Sequence, residues 1–482
     1  MAHAYSPVDP GVVGLDGDRV RLTSRQLRDL ESRLEGRLLC AGDAGWAEAI
    51  SIWNGLAATT PSLVVQPTSA RDVAAAIDFA RSHELLLGVK GGGHNIAGTA
   101  MAEGALALDM SPMRAIEVDA AAGLAHVGAG CLLKDVDRAT QEHGLATVLG
   151  FVSEVGVAGL TLGGGLGYLT RRFGWTVDNL VEVEVVTAEG EIRTADRAEH
   201  EDLFWALRGG GGNVGVVTRF TFRLHEIGPL VYGGLVAWPF ERADEILDGY
   251  RRITSDAPRE LTAWLVMLHA PPLPFVPPEF QGRKACTMVV CYTGELGEVD
   301  DVLAPIRELG DPAAEVLQAW PYVQQQSFLD ESEPKGAHYY WKTEYASYLD
   351  DGLLAAARDT FAECAIPEAQ VGFLHLGGAL NERAEDDGVV GNRDAHFACG
   401  VNAMWEPDDP GAEGHFEWVR SGWERIRPFS TGRTYVNFQT RDEGDDRVRA
   451  TYGANYDRLR EIKRRYDPDN LFRVNRNIVP AG

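Results

Sequence analysis

Nothing in this chain restricts its backbone more than residues 88 to 98, Gly-Val-Lys-Gly-Gly-Gly-His-Asn-Ile-Ala-Gly. The three consecutive glycines Gly91, Gly92 and Gly93 permit a turn with positive φ and let main-chain N–H groups come close to a ligand that side chains would hold away. A phosphate suits such a loop, and His94 sets an imidazole directly beside whatever the loop holds. A glycine turn carrying a surface histidine is the plainer alternative, and the rest of the chain decides between the two.

A second glycine-dense segment spans residues 150 to 175, with Gly156, Gly159, Gly163, Gly164, Gly165 and Gly167. A helix interior pays about 1 kcal/mol for each glycine relative to alanine. The segment is therefore expected as non-helical backbone lying flat against a large planar ligand, and the interleaved Val155, Val157, Leu160 and Leu162 favour burial. A third run, Gly209 to Gly212, follows a helical stretch (200–207) and precedes a strand (214–224). A dinucleotide fingerprint needs the opposite order, strand, glycines, helix, so neither a Rossmann site nor a P-loop is supported.

The 482 residues exceed one ordinary core and suggest two or three domains. A formal net charge of −26 opposes binding to nucleic acid or an anionic membrane, which requires an excess of Lys and Arg. Six scattered cysteines without C-x-x-C spacing indicate neither a zinc site nor a disulfide framework, so no metal is expected. The opening residues 1 to 9 lack a basic region followed by an apolar one, and no later run reaches membrane-spanning length. The expectation is a soluble, cytoplasmic protein, monomeric or homodimeric.

Helices are expected at 24–35, 45–53, 68–84 (after the capping residues Thr68 and Ser69) and 132–143, with strands at 85–87, 105–109, 125–127 and 180–187. Beyond Gly228-Pro229, five strands (230–238, 262–269, 285–293, 371–376 and 396–405) alternate with four amphipathic helices, which implies a second α+β unit with one covered sheet. The aromatic run from His338 to Tyr345 is read as the roof of a pocket or as core. Residues 435 to 438 read as a short strand. Tyr452, Tyr456, Leu459, Ile462 and Tyr466 mark one helix that Asp467-Pro468 ends, and residues 471 to 478 form an extended segment that must dock.

Several marks occur in fixed order: Pro67 before its helix, Lys90 to His94, Leu108-Asp109-Met110-Ser111, and Val155 to Gly159 running into Gly163 to Gly165. Leu203-Phe204-Trp205-Ala206, Gly210-Gly211-Gly212-Asn213 and Tyr466 to Phe472 complete them. Together they resemble the berberine-bridge-enzyme-like branch of the vanillyl-alcohol-oxidase flavoproteins over nearly the whole chain. The resemblance implies an α+β protein with a PCMH-type FAD-binding domain of two α/β subdomains (residues 1–228). A substrate domain (229–434) with an antiparallel sheet covered by helices follows, and a C-terminal segment (435–482) returns to the FAD domain.

FAD is the implied cofactor, held by Lys90, Gly91, Gly92, Gly93, His94, Asn95, Gly98, Asp109, Val152, Ser153, Gly156, Gly159, Leu160, Gly163, Val217, Asn437 and Asn475. His94 matches the histidine that the family bonds to the flavin 8α-methyl. Val152 stands where many members carry a second, cysteinyl link, so a single covalent bond is expected. Lys90 replaces a commoner arginine, keeping the charge and losing the planar fork.

Val155 matches a position where a small side chain accompanies oxygen access, which favours an oxidase, although an ordinary core valine would look the same. Tyr435 matches a tyrosine used as general base. A sheet tyrosine packed on the flavin domain is the equal alternative, because a phenol titrates near 10 in water. By strand alternation Trp264, Val266, Leu268, Gly372, Leu374 and Leu376 should face the flavin, giving an apolar pocket without a carboxylate base, with His269 and His375 on the far face.

The implied activity removes hydride from a C–H next to an alcohol, phenol, hemiacetal or amine of a small molecule, plausibly a natural product, with O2 reduced to H2O2. A flavin-dependent dehydrogenase or oxidative cyclase on the same fold is the alternative, and a non-catalytic flavin-binding protein a second.

Overall fold

The computed structural model describes residues 11–482; the opening stretch, read above for targeting signals, lies outside them. Among the described residues no helix is long and apolar enough to cross a membrane.

The first half of the chain builds two small sheets, besides two two-stranded pairs. One has the order Arg37–Leu39, Leu63–Gln66, Leu106–Asp109, Leu87–Lys90, with the last three strands parallel. Parallel neighbours need a crossover, which the helix Ala70–Ser82 supplies. It begins where expected, because the Ser69 hydroxyl accepts from the Asp72 N–H at 3.3 Å. The other sheet is antiparallel, in the order Ile192–Ala195, Leu180–Val186, Val216–Arg223, Leu124–Gly128, Ile116–Asp119. One apolar core joins both sheets with the C-terminal helices, through Leu459, Ile462 and Tyr466.

The second half builds one antiparallel sheet of seven strands, in the order Ala314–Pro321, Leu230–Pro239, Lys284–Tyr292, Leu261–His269, Ala369–His375, Phe397–Trp405, His338–Ala346. Helices Ala243–Asp256, Val299–Arg307, Asp351–Ala362 and Ala412–Ile426 cover one face. Tyr250, Leu303, Phe361 and Val419 pack there on Leu265, Met288, Phe373 and Val401. Each fully buried Leu, Phe or Met contributes roughly 1.5–3 kcal/mol over an exposed one. Strand alternation turns Trp264, Val266 and Leu268 to the opposite face.

Four expectations are corrected. The sheet has seven strands where five were read: Ala314–Pro321 is an edge strand with exposed polar residues, and the aromatic run is itself the strand His338–Ala346. Residues Val436–Phe438 form a 3-10 turn, not a strand. The helix expected over 452–466 is two, Asp445–Tyr452 and Tyr456–Tyr466, parted at Gly453, whose φ is 51°. A short helix, Val157–Leu162, does form in the second glycine segment, and Gly159 lies inside it with no atom within 4 Å of where a Cβ would stand.

The C-terminal tail docks through its polar groups. The buried Lys463 donates to the Phe472 carbonyl at 2.7 Å and pairs with Asp467 at 3.3 Å. Asn213 accepts the Ile478 N–H at 3.0 Å and donates to the Arg476 carbonyl at 3.1 Å, so the third glycine run ends in an anchor for the tail.

Candidate functional site

Between the two small sheets and the bare face of the seven-stranded sheet lies a cavity of about 1100 Å3. That exceeds the usual range for a pocket holding one small ligand, ~300–1,000 Å3, and suits a dinucleotide together with a substrate.

One wall is glycine. The loop at Gly91 to Gly93 leaves its strand and passes within van der Waals reach of Gly156: a Cβ on Gly92 would lie 2.4 Å from the Gly156 nitrogen. Gly93 adopts φ 73°, which turns the chain into His94. The N–H groups of Gly92, Gly93, His94 and Asn95 donate to no acceptor among the described residues. Successive free amides of this kind favour an anion such as a pyrophosphate. Val152, Val155, Gly156, Gly159, Leu160 and Val217 continue the wall, and Asn475 borders it with its buried Oδ1 unpartnered.

His94 is clamped by an aromatic stack that the sequence reading did not connect. Its ring lies 4.5 Å from that of Trp53 at 16°, and Trp53 stacks in turn on Tyr339 at 3.8 Å. The Trp53 main-chain N–H donates to the Gly93 carbonyl at 2.9 Å, while the buried Asn54 amide reaches the carbonyls of Ile96 at 2.7 Å and Tyr339 at 3.0 Å. Burial pushes the His94 imidazole down to about 4, so it is neutral at physiological pH and keeps a lone pair for bonding. Trp53 and Asn54 lie some forty residues upstream without a recognisable motif. Only contact with the strand His338–Ala346 reveals them.

At the other end Tyr435 is buried. Its hydroxyl accepts from the Gly165 N–H at 3.0 Å and from Asn437 Nδ2 at 2.8 Å. These two donors favour the phenolate, but burial is the larger influence and raises the Tyr435 pKa above its usual value. The ring is parallel to Trp175 at 6.2 Å and edge-on to Phe438 at 4.9 Å. Phe438 meets Trp341 at 5.5 Å and Trp341 meets Trp53 at 5.8 Å, so aromatic rings run without a break from Tyr435 to His94.

Tyr435, Val155, Gly91, Gly92, Gly93, His94, Asn95, Val152, Gly156, Gly159, Leu160, Val217, Asn437 and Asn475 are thus brought round one cavity. Lys90, Gly98, Asp109, Ser153 and Gly163 sit behind its wall. Lys90 pairs with Asp109 at 3.2 Å and donates to the Ala49 carbonyl at 2.6 Å beneath the glycine loop. Ser153 donates to Asp330 through its N–H at 2.7 Å and its hydroxyl at 2.6 Å. A Cβ on Gly98 would strike the Ala57 carbonyl at 2.6 Å, and one on Gly163 the Asn437 amide at 2.3 Å.

Of the strand residues expected at the pocket, Trp264, Val266, Leu268, Gly372 and Leu374 border it, whereas Leu376 is buried in the cluster around Trp175. His375 faces away, against Arg171. His269 borders the cavity as well as packing on Phe361 at 5.5 Å, because it ends its strand. The pocket does contain carboxyls: Glu331, Glu333 and Glu368 border it, and burial pushes Glu333, from the loop before His338, up to about 8.

Among the described residues no cluster of His, Cys, Asp or Glu suits a metal. The glycine wall, the free amides and the cavity size fit an FAD.

Residues 61–196 match the family model described as an FAD binding domain, and residues 434–479 the one described as berberine and berberine like. An FAD-linked oxidoreductase of Dictyostelium discoideum is 30% identical over 432 residues, covering 89% of this chain and 91% of that one. The (R)-6-hydroxynicotine oxidase of Paenarthrobacter nicotinovorans is 29% identical over 468 residues, 93% of this chain and 98% of its own. The solved structure of a berberine-bridge-enzyme-like protein from Physcomitrella patens superposes with a TM-score of 0.84 at 23% identity, covering 94% and 99%, a likeness of fold.

Proposed function

This chain belongs to the berberine-bridge-enzyme-like FAD-linked oxidoreductases, and from that premise we propose that it is an oxidase carrying FAD on a single covalent bond to His94. The observation that carries the reading is a neutral, stacked imidazole at one end of a glycine-walled cavity and a doubly hydrogen-bonded phenol at the other. When bound, FAD takes hydride from a substrate carbon and passes both electrons to O2.

The chain's own residues divide the remaining work. The amides of Gly92 to Asn95 would hold the pyrophosphate, and Trp53 fixes the ring of His94, the residue that would carry the flavin. Gly159 and the small Val155 leave the backbone wall open to a flat ring and to oxygen. Tyr435 receives the proton of the substrate's hydroxyl or amine as the adjacent C–H loses hydride. Gly165 and Asn437 stabilise the Tyr435 phenolate that takes this proton. Two electrons and two protons leave the substrate, and O2 takes both pairs to become H2O2.

Because burial raises the Tyr435 pKa, the phenolate that accepts this proton is populated only as pH climbs. The test is oxygen-coupled turnover on a panel of phenols, alcohols and amines. One H2O2 per O2 consumed supports the oxidase. Reduction of an artificial acceptor with no oxygen uptake would indicate a dehydrogenase.

A further inference from the structure

The loop between the helix Tyr322–Gln326 and the strand His338–Ala346 borders the cavity along most of its length and is fastened at both ends to the wall described above. Near its start Asp330 accepts from Ser153, the neighbour of Val152. Towards its end the Trp53 indole N–H donates to the Glu333 carbonyl at 3.1 Å. The Gly336 N–H donates to the Trp53 carbonyl at 2.8 Å, and the Gly55 N–H to the Ala337 carbonyl at 2.9 Å. Trp53 is the ring stacked on His94, so the loop is tied to the clamp of that residue. The Lys335 ammonium, two residues beyond Glu333, is near enough to help keep the His94 imidazole neutral.

Of the carboxyls that border the cavity, Glu331 and Glu368 are exposed, whereas Glu333 is half-buried. Its main-chain carbonyl is taken by Trp53. Its carboxyl makes no hydrogen bond or ion pair among the described residues, yet the oxygens are not sealed off from open space. Protein surrounds the group closely enough to push its pKa up to about 8. A carboxyl so enclosed, unpaired and still open faces an internal space, and the cavity is the space that Glu333 borders. Once ionised, it is a stronger base than a carboxylate in water.

We propose that Glu333 is the base that takes the proton lost from the flavin 8α-methyl when FAD is bonded to His94. This rests on the reading in which His94 carries the flavin. One C–H bond must break and one C–N bond form. The methyl proton passes to the Glu333 carboxylate, and the electron pair of that C–H enters the ring system. The His94 lone pair makes the C–N bond, and the imidazole gives up its own N–H proton. The ring system is left two electrons richer, and O2 takes those electrons with the two protons to become H2O2. Tyr435 stands at the other end of the cavity and Asp109 is paired with Lys90 beneath the glycine loop, so neither takes this part.

The test follows covalent attachment itself. Full-length protein from riboflavin-starved cells is mixed with FAD in air, and the flavin retained on acid-precipitated protein is read against time, with total bound FAD measured on the same sample. Glu333→Gln should bind FAD and attach it about a hundredfold more slowly than the native protein, or more slowly still. Glu333→Asp should fall between the two. Added formate should speed attachment in Glu333→Ala, where it can occupy the vacated space, and leave Glu333→Gln unchanged. Attachment by Glu333→Gln at the native rate, or no effect of formate on Glu333→Ala that holds FAD, would overturn the proposal. Loss of FAD binding in both variants would make Glu333 a binding residue and overturn it equally. A native protein that binds FAD without ever attaching it would instead overturn the His94 reading on which the proposal rests.

Discussion

Tyr435 shows how one residue can be placed for chemistry while its environment opposes the charged form. Its oxygen accepts two hydrogen bonds and its proton has no acceptor among the described residues, yet burial raises its pKa. An acid whose pKa is raised ionises only as pH climbs, so kcat should increase with pH through the alkaline range. Tyr435→Phe should lower kcat about a hundredfold or more and flatten that rise. A variant of unchanged kcat and unchanged pH profile would remove Tyr435 from the mechanism. His94 is the converse, a base that burial keeps neutral and therefore nucleophilic. Both residues were legible in the sequence because each sits in a short, ordered pattern. Trp53 and Asn54 were not, since their partner Tyr339 lies on a strand hundreds of residues away.

At the scale of elements, the two glycine segments act by different means. Gly92 and Gly156 pack backbone on backbone, whereas Gly159 faces open cavity from inside a helix. Gly92→Ala should therefore lower both Tm and FAD content, because the added Cβ falls 2.4 Å from a main-chain nitrogen. Gly159→Ala should leave the Tm of the apoprotein unchanged or slightly higher, since alanine favours the helix by about 1 kcal/mol, and reduce only FAD retention. Equal effects of the two on Tm would contradict this division. The same helix shows where propensity reasoning stopped short. Glycine density argued against a helix, but the turn is short and its first residue is held from outside, the Val157 N–H donating to the Cys131 carbonyl at 3.0 Å, so tertiary context prevails. The missed strand His338–Ala346 has a related cause. Its run of aromatics has no polar alternation, because one face meets the cavity and the other a helix, through Tyr340 on Phe416 at 4.7 Å.

Across the whole molecule, the two halves are joined by polar contacts that no local pattern announces. Ser153 binds Asp330, and Arg171 donates to the carbonyls of Leu261 at 2.7 Å and Ala257 at 2.9 Å. Asp137, buried on the helix Leu133–Gln141, accepts from Gln326 at 3.1 Å, and its other oxygen has no partner among the described residues. Burial pushes Asp137 up to about 7 from an ordinary 3.8. The folded protein thus holds a proton there that the unfolded chain releases. The stability this contributes is fully present below the ordinary value and is lost as pH rises to about 7. Asp137→Asn carries no such proton, so its stability relative to the native protein should grow between pH 4 and 7, as read by denaturant midpoints. A difference independent of pH would show that Asp137 is ionised in the fold.

The central claim, a single bond from His94 to FAD, is tested most directly by the intact mass of the denatured protein, followed by peptide mapping of residues 88 to 98. The account predicts a mass increased by one FAD, located on His94 and absent from His94→Ala. A yellow protein whose flavin separates completely on denaturation would contradict the covalent bond, and one that neither contains nor takes up FAD would contradict the account as a whole.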